Sequence, residues 1–231
     1  MFIYVRHAFS RANKYEVEMF EKGHNSLEGE ALLDYVNATF TERDADLADQ
    51  GIEQATGSEQ LFKQWMIDND ITIDQVLISP MMRAIRTASI FLEAIGYQGE
   101  VKLVPELQER MQISVADLGT DKTPLLDRIR NSSDLLNGLS IDKSLLTKEA
   151  WYASTAETNE EFSARIDAVR QKFIKPAENT AGSITLAFTH QLVGRELKHD
   201  KSGIENTQAL EMKSDGSYRA LYRPPALSLR A

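Results

Sequence analysis

The chain has 231 residues, a formal net charge of -9, 42% hydrophobic and 26% charged residues, and no cysteine. That composition belongs to a folded globular chain of one large or two small domains, and it excludes disulfides, thiolate catalysis and cysteine-ligated metal centres. The acidic balance argues against a nucleic-acid partner, which needs a basic face, but leaves room for a small anionic substrate held by a few converging arginines.

Phe2 to Val5 is a short apolar, β-prone run and reads as a buried strand. It stops at Arg6, too soon for a signal-peptide core, and no apolar run approaches the roughly 20 residues that span a bilayer. The expectation is a cytoplasmic protein with no membrane contact. From Ser10 to about Asp46 the chain is polar and poorly periodic, with a helix expected around Glu28 to Phe40. Its acidic residues Glu28, Glu30, Glu42, Asp44 and Asp46 read as a solvated face. Asp49 to about Asn69 reads as a helix with Ile52, Ala55, Phe62, Trp65 and Met66 on one side.

Gln75 to Ser79 is a second buried strand, and Pro80 is expected to open the next helix. Ala84, Ala88, Phe91, Leu92 and Ile95 form that helix's inner stripe, and Gly96 ends it. Val101 to Val104 is a third strand. Residues 111 to 158 are read as polar turns with two helices, and Trp151 and Tyr152 as packing residues. Phe162, Ile166, Val169 and Phe173 have amphipathic helical spacing, with Pro176 and Gly182 expected to end the helix. Ser183 to Thr189 is a fourth buried strand, followed by a short helix from about Leu192 to Lys198. Thr207 to Met212 and Tyr218 to Tyr222 form a hairpin around Ser214 to Ser217. No repeat or linker interrupts this order. Strands alternating with helices imply an α/β fold, a three-layer α/β/α sandwich on a mostly parallel central sheet, in one domain spanning 1–231.

The strand ends carry the chemistry. Strand one runs into Arg6-His7, strand two into Ser79-Pro80 and then Arg83, and strand four into His190. Ligands of open α/β sheets bind at the carboxyl ends of the strands, so two histidines and two arginines are expected at one edge. Two guanidinium forks match phosphate oxygens. A neutral imidazole whose tautomer is fixed can attack phosphorus, and a second imidazole can stabilise the growing charge. A carboxyl group with a raised pKa would complete the set as proton donor. His24 and His199 read as solvent-facing.

Arg6-His7-Ala8-Phe9-Ser10-Arg11-Ala12-Asn13 is similar to the pattern R-H-G-x-S-x-x-N. Leu47 to Ala55 is similar to L-x-x-x-G-x-x-Q-A, and Ser79 to Ala88 to S-P-x-x-R-A-x-x-T-A. Leu107-Gln108-Glu109 resembles an L-x-E element, Thr189-His190 a second strand-end histidine, and Asn206-Thr207 a pair before the last hairpin. In this order, over residues 2 to about 222, the chain resembles the histidine phosphatase superfamily, also called phosphoglycerate mutase-like. The resemblance implies that His7 is the nucleophile and that Arg6, Arg83 and His190 bind the phosphate oxygens. It also implies that Ser10 and Asn13 contact phosphate or substrate. Glu109 is implied as the proton donor, with Glu106 as a competitor. Ala8 and Gln191 replace glycines of the pattern. The Gln191 backbone N–H remains available to a phosphate, while its side chain narrows the pocket.

The expected reaction is hydrolysis of a small phosphate monoester through phosphorylated His7. It consists of two in-line displacements with retention at phosphorus and uses no metal or cofactor. The long segment at about 14–46 is expected to cover the pocket and separates this chain from compact mutases. A phosphoglycerate mutase-type transferase and a non-catalytic phospho-ligand binder are the alternatives. The substrate and the oligomeric state are not legible.

Overall fold

The computed structural model describes residues 1–22, 29–110, 115–152 and 155–226. Its centre is a seven-stranded sheet in the order β4-β3-β2-β5-β1-β6-β7. The strands are β1 (Phe2–Arg6), β2 (Gln75–Ile78), β3 (Glu100–Leu103), β4 (Ser140–Asp142), β5 (Thr185–Thr189), β6 (Ala209–Met212) and β7 (Tyr218–Ala220). β4, β3, β2, β5 and β1 pair in parallel, while β6 and β7 close one edge antiparallel. The five residues of β5 are all buried, as a central parallel strand requires when both sheet faces are covered.

Alternation along β1 defines the two cores. Ile3 and Val5 pack with α3 (Asp49–Asp68) and α4 (Met82–Ile95), through Ala55, Phe62, Ala88 and Phe91. Phe2 and Tyr4 face the other way, onto α6 (Asn159–Val169) and α8 (Gln191–Leu197), through Phe162, Ile166, Val193 and Leu197. The expected three-layer sandwich is therefore the observed architecture. The remaining helices are α1 (Arg11–Glu21), α2 (Gly29–Thr39), α5 (Lys122–Arg130) and α7 (Lys175–Asn179).

Several local expectations need correction. The segment between Ser10 and Asp46 carries the expected helix near Glu28 to Phe40, α2, and a second one that was not expected, α1. Ile52 is 39% exposed, and the buried side of α3 runs instead through Gly51, Gln54, Ala55, Ser58 and Phe62. Pro80 lies before α4, whose N-cap is Met81. Asp44 accepts the Met82 N–H at 2.9 Å and so serves the helix end from a distance in sequence. Pro176 does not end the helix that starts at Asn159. A π-helical turn at Arg170–Ile174 intervenes, and α7 restarts with the proline in its first turn, where its missing N–H costs nothing. Between 111 and 158 the described residues hold a short 3-10 helix at Val115–Asp117, one α-helix, α5, and the edge strand β4, which was not expected.

Asp44 and Asp46 are also not solvated. They are 1% and 2% exposed. Asp44 accepts from Thr120 Oγ1 at 2.8 Å, and Asp46 takes Arg86 and Arg128 at 2.9 Å each. Glu42 pairs with Arg11 at the surface, whereas Glu28 and the Glu30 side chain lie outside the described residues. His199 is exposed, and His24 lies outside the described residues. Trp151 packs into the first core and donates its indole N–H to Thr120 O. None of the helices among the described residues is long and apolar enough to cross a membrane.

Candidate functional site

Parallel pairing sets the two imidazoles side by side. Arg6 is in register with Thr189, and the His7 N–H donates to Thr189 O at 2.9 Å. The next residue on each strand is a histidine. The two ring centroids lie 5.1 Å apart with planes tilted by 57°. β2 is the other neighbour of β5, and Ser79, just past its end, places Oγ 2.8 Å from His190 Nε2. Arg83, on the first turn of α4, reaches back over the strand ends and donates its Nε–H to His190 Nδ1 at 3.3 Å.

His7 Nδ1 lies 2.7 Å from the Ala8 carbonyl oxygen. A carbonyl only accepts, so the ring hydrogen is on Nδ1 and the Nε2 lone pair is left bare. Burial, reinforced by the Arg83 and Arg6 charges, holds His7 well below the ordinary histidine value. Burial and then Arg83 do the same to His190. Both rings are therefore neutral under ordinary conditions. Arg6 donates Nη1–H to Ile204 O at 2.5 Å, while its buried Nε has no hydrogen-bond partner. An orphaned cationic donor of this kind is satisfied by an incoming anion.

The backbone from His7 to Phe9 is clamped by residues of the sequence motifs. Ala8 N–H donates to Thr87 Oγ1 at 3.0 Å and Phe9 N–H to Gln54 Oε1 at 3.0 Å. Asn206 Nδ2–H donates to His7 O at 2.9 Å. Gly51 lets α3 approach so closely that a Cβ there would sit 1.9 Å from Phe9 O. Ser10 and Asn13 cap α1 reciprocally: Asn13 N–H donates to Ser10 Oγ, and Ser10 N–H to Asn13 Oδ1.

These groups form the floor of a cavity of ≈ 470 Å³. Of the residues singled out from sequence, Arg6, His7, Ser10, Asn13, Arg83, Glu109 and Gln191 line it. His190 is fully buried and packs against His7 without itself lining the cavity. Tyr15, Glu16, Met19, Phe20, Val36 and Phe40, all from the 14–46 segment, form the outer wall.

The carboxylates sort by geometry. Glu109 lines the cavity, and its oxygens accept from the backbone N–H of Arg110 at 2.9 Å and of Leu192 at 3.3 Å. Burial pushes its pKa up, and the neighbouring Asp117 charge adds to the rise. Glu106 turns away to Lys172 at 3.2 Å and does not line the cavity. Asp117 was not anticipated. It lines the cavity and pairs with Arg83 Nη2 at 2.9 Å, while Arg83 Nη1–H donates to Ala116 O at 2.9 Å. Burial raises the Asp117 pKa against the pull of Arg83. Among the described residues no group of three or more His, Asp or Glu side chains comes together to hold a metal ion.

A family model described as the histidine phosphatase superfamily (branch 1) matches residues 35–221. The matched stretch includes Arg83, Glu109 and His190 and begins after the Arg6 to Asn13 motif. Among solved structures, the ecdysone phosphate phosphatase from Bombix mori, crystallised with tungstate, aligns at 16% identity. That alignment covers 100% of this chain and 95% of that one, with a TM-score of 0.60. A phosphoglycerate mutase from Bacillus anthracis str. Sterne aligns at 21% identity over 95% of this chain and 90% of that one, with a TM-score of 0.54. At these identities the likeness is one of fold. No curated protein matches by sequence.

Proposed function

The chain belongs to the histidine phosphatase superfamily, and we propose that within it this protein is a phosphatase that hydrolyses small phosphate monoesters through a phosphohistidine on His7. One observation carries the reading. The His7 ring is neutral, its Nδ1–H is tied to Ala8 O, and its free Nε2 stands at a cavity floor flanked by Arg6 and Arg83.

The proposed chemistry is a double displacement. His7 Nε2 attacks phosphorus in line as the ester P–O bond breaks, and Glu109 gives its proton to the leaving oxygen, releasing an alcohol. The imidazolium formed keeps its Nδ1–H on Ala8 O. Water, deprotonated by the Glu109 carboxylate, then attacks the phosphohistidine. Inorganic phosphate leaves, and His7 is neutral again. Arg6 Nε and the Arg83 fork bind the oxygens, with Ser10, Asn13 and the Gln191 N–H as further contacts. Charge in the transition state is held by these cations.

His190 joins by changing tautomer. Its Nε2 lies on the Ser79 hydroxyl, which can donate as well as accept. When a phosphate draws Arg83 away from Nδ1, Ser79 donates to Nε2 and the ring hydrogen sits on Nδ1, where it can meet an equatorial oxygen. The choice of Glu109 over Glu106 is supported by the cavity lining and by the pairing of Glu106 with Lys172.

A panel of phosphate esters tests the reading, run on the wild type and on His7→Ala. Inorganic phosphate should be released by the former and not by a folded His7→Ala protein. Full activity in that variant would end the proposal. Incubation with 3-phosphoglycerate and a bisphosphoglycerate primer should yield phosphate rather than 2-phosphoglycerate, which separates hydrolysis from mutase activity.

A further inference from the structure

The cavity has two chemically distinct halves. Its floor carries the arginines, His7 and the carboxylates. Its outer wall comes from α1 and the end of α2, and apart from Glu16 it is lined by aromatic and aliphatic groups. Tyr15 and Met19 are one helical turn apart on α1, and Val36 and Phe40 have the same spacing along the second segment. The Tyr15 and Phe40 rings meet with centroids 5.0 Å apart, which joins the two segments into one surface. Leu192 and Arg195 line the cavity from α8. Phe20, at the same wall, is 52% exposed. None of the described lining residues that α1 and α2 contribute is a lysine or arginine.

A side chain such as Phe20 gains nothing from facing water, and this apolar group adjoins a phosphate-binding floor instead of lying at random on the surface. The volume, ≈ 470 Å³, falls in the range of sites that enclose a small organic molecule, about 300–1,000 Å³. An alcohol rich in hydroxyls, bound with its phosphate on Arg6 and Arg83, would set those hydroxyls against Met19, Phe20, Val36 and Phe40, which offer no partners. A second acid group on the substrate would meet Glu16 at this wall; the lining cation outside the floor, Arg195, belongs to α8 and not to the apolar wall.

Resting on the phosphatase reading, we propose that the substrate is the phosphate ester of a bulky apolar alcohol, aromatic or alicyclic, whose hydrocarbon part lies against Tyr15, Met19, Phe20, Val36 and Phe40. The outer wall is then the specificity element of the enzyme, and the polar floor is shared by any ester.

Two esters with similar alkoxide leaving groups test this, 2-phenylethyl phosphate and glycerol 3-phosphate. The expected result is a KM at least about tenfold lower for the phenylethyl ester, the value of burying a phenyl ring in part, with similar kcat. Phe20→Ser, at an exposed position, should shrink the ratio of the two KM values by about fivefold. Equal KM values, a preference for glycerol 3-phosphate, or an unchanged ratio in Phe20→Ser would overturn the proposal. Binding of 2-phenylethylphosphonate against methylphosphonate, by titration calorimetry, reads the wall without turnover. Tighter binding of the phenylethyl compound supports the proposal, and equal binding overturns it. Absence of hydrolysis of every ester, 4-nitrophenyl phosphate included, would count against the phosphatase reading instead.

Discussion

If Arg83 binds the phosphate as proposed, Asp117 competes with it for Nη2, and removing its charge should tighten anion binding. The Arg83 and Asp117 side chains are 4% and 19% exposed and 2.9 Å apart, so their pairing is only weakly screened by water. A charge-assisted hydrogen bond in such a setting is worth about 1.5–3 kcal/mol. The substrate must exchange most of that when Arg83 turns to it, and the remaining carboxylate also repels the dianion. Asp117→Asn keeps an acceptor for Nη2 but removes the charge. Inorganic phosphate should then bind about 10- to 100-fold more tightly, since roughly 1.4 kcal/mol is tenfold. The assay is competitive inhibition by phosphate, or calorimetry, at several pH values. The Asp117 pKa is raised by burial, so its carboxyl takes up a proton earlier than an ordinary aspartate as pH falls. The gain in the variant should therefore be largest near neutrality and shrink on acidification, as wild-type Asp117 becomes neutral too. Phosphate binding that is unchanged or weaker in Asp117→Asn at pH 7.5 would refute the competition and make Asp117 a ligand of the anion instead.

The same geometry predicts other outcomes. Glu109→Gln should lower kcat for an alkyl phosphate by about 10²–10⁴. It should affect 4-nitrophenyl phosphate far less, because that leaving group departs without a proton; equal losses on both esters would remove Glu109 from the proton-donor role. The pH profile of kcat/KM should carry an acid limb below the ordinary histidine value of 6.5, because His7 is held down and must be neutral to attack. It should also carry a basic limb as Glu109, raised above the ordinary 4.5, loses its proton. Glu109→Gln should flatten the basic limb and leave the acid limb, and a profile rising steadily with pH would contradict both assignments. Gly51→Ala should destabilise the protein by at least about 1–3 kcal/mol on chemical denaturation, since its Cβ would fall 1.9 Å from Phe9 O. An unchanged denaturation midpoint would show that the α3 contact does not clamp the His7 to Phe9 backbone.

The central strands were legible because they are buried on both faces and read as unbroken apolar runs, as in Val76-Leu77-Ile78 and Leu186-Ala187-Phe188. The residues just past the ends of these strands were then enough to bring His7, His190 and Arg83 together. The edge strand β4, Ser140–Asp142, has three residues, none of them buried, and leaves no such trace. Helix α1 escaped notice because its inward side faces a cavity and not the core, so Met19 is its one buried residue. The reciprocal Ser10 and Asn13 cap was present as a signal and could have marked its start. Asp44 and Asp46 were misread because their partners, Met82, Arg86, Thr120 and Arg128, lie 38 to 82 residues away. Asp117 had no signal at all, since a lone carboxylate in an unpatterned stretch acquires meaning only once Arg83 is seen beside it.

The central claim is that a phosphoryl group resides on His7 Nε2 during turnover. Rapid quench in base of the protein mixed with excess ³²P-labelled ester, followed by peptide mapping, measures this directly. The account predicts acid-labile, base-stable label on the peptide containing His7, close to one per chain if the second step limits the rate, and no label in His7→Ala. Turnover of the ester with no labelled histidine at any quench time, or label on His190 instead, would contradict it.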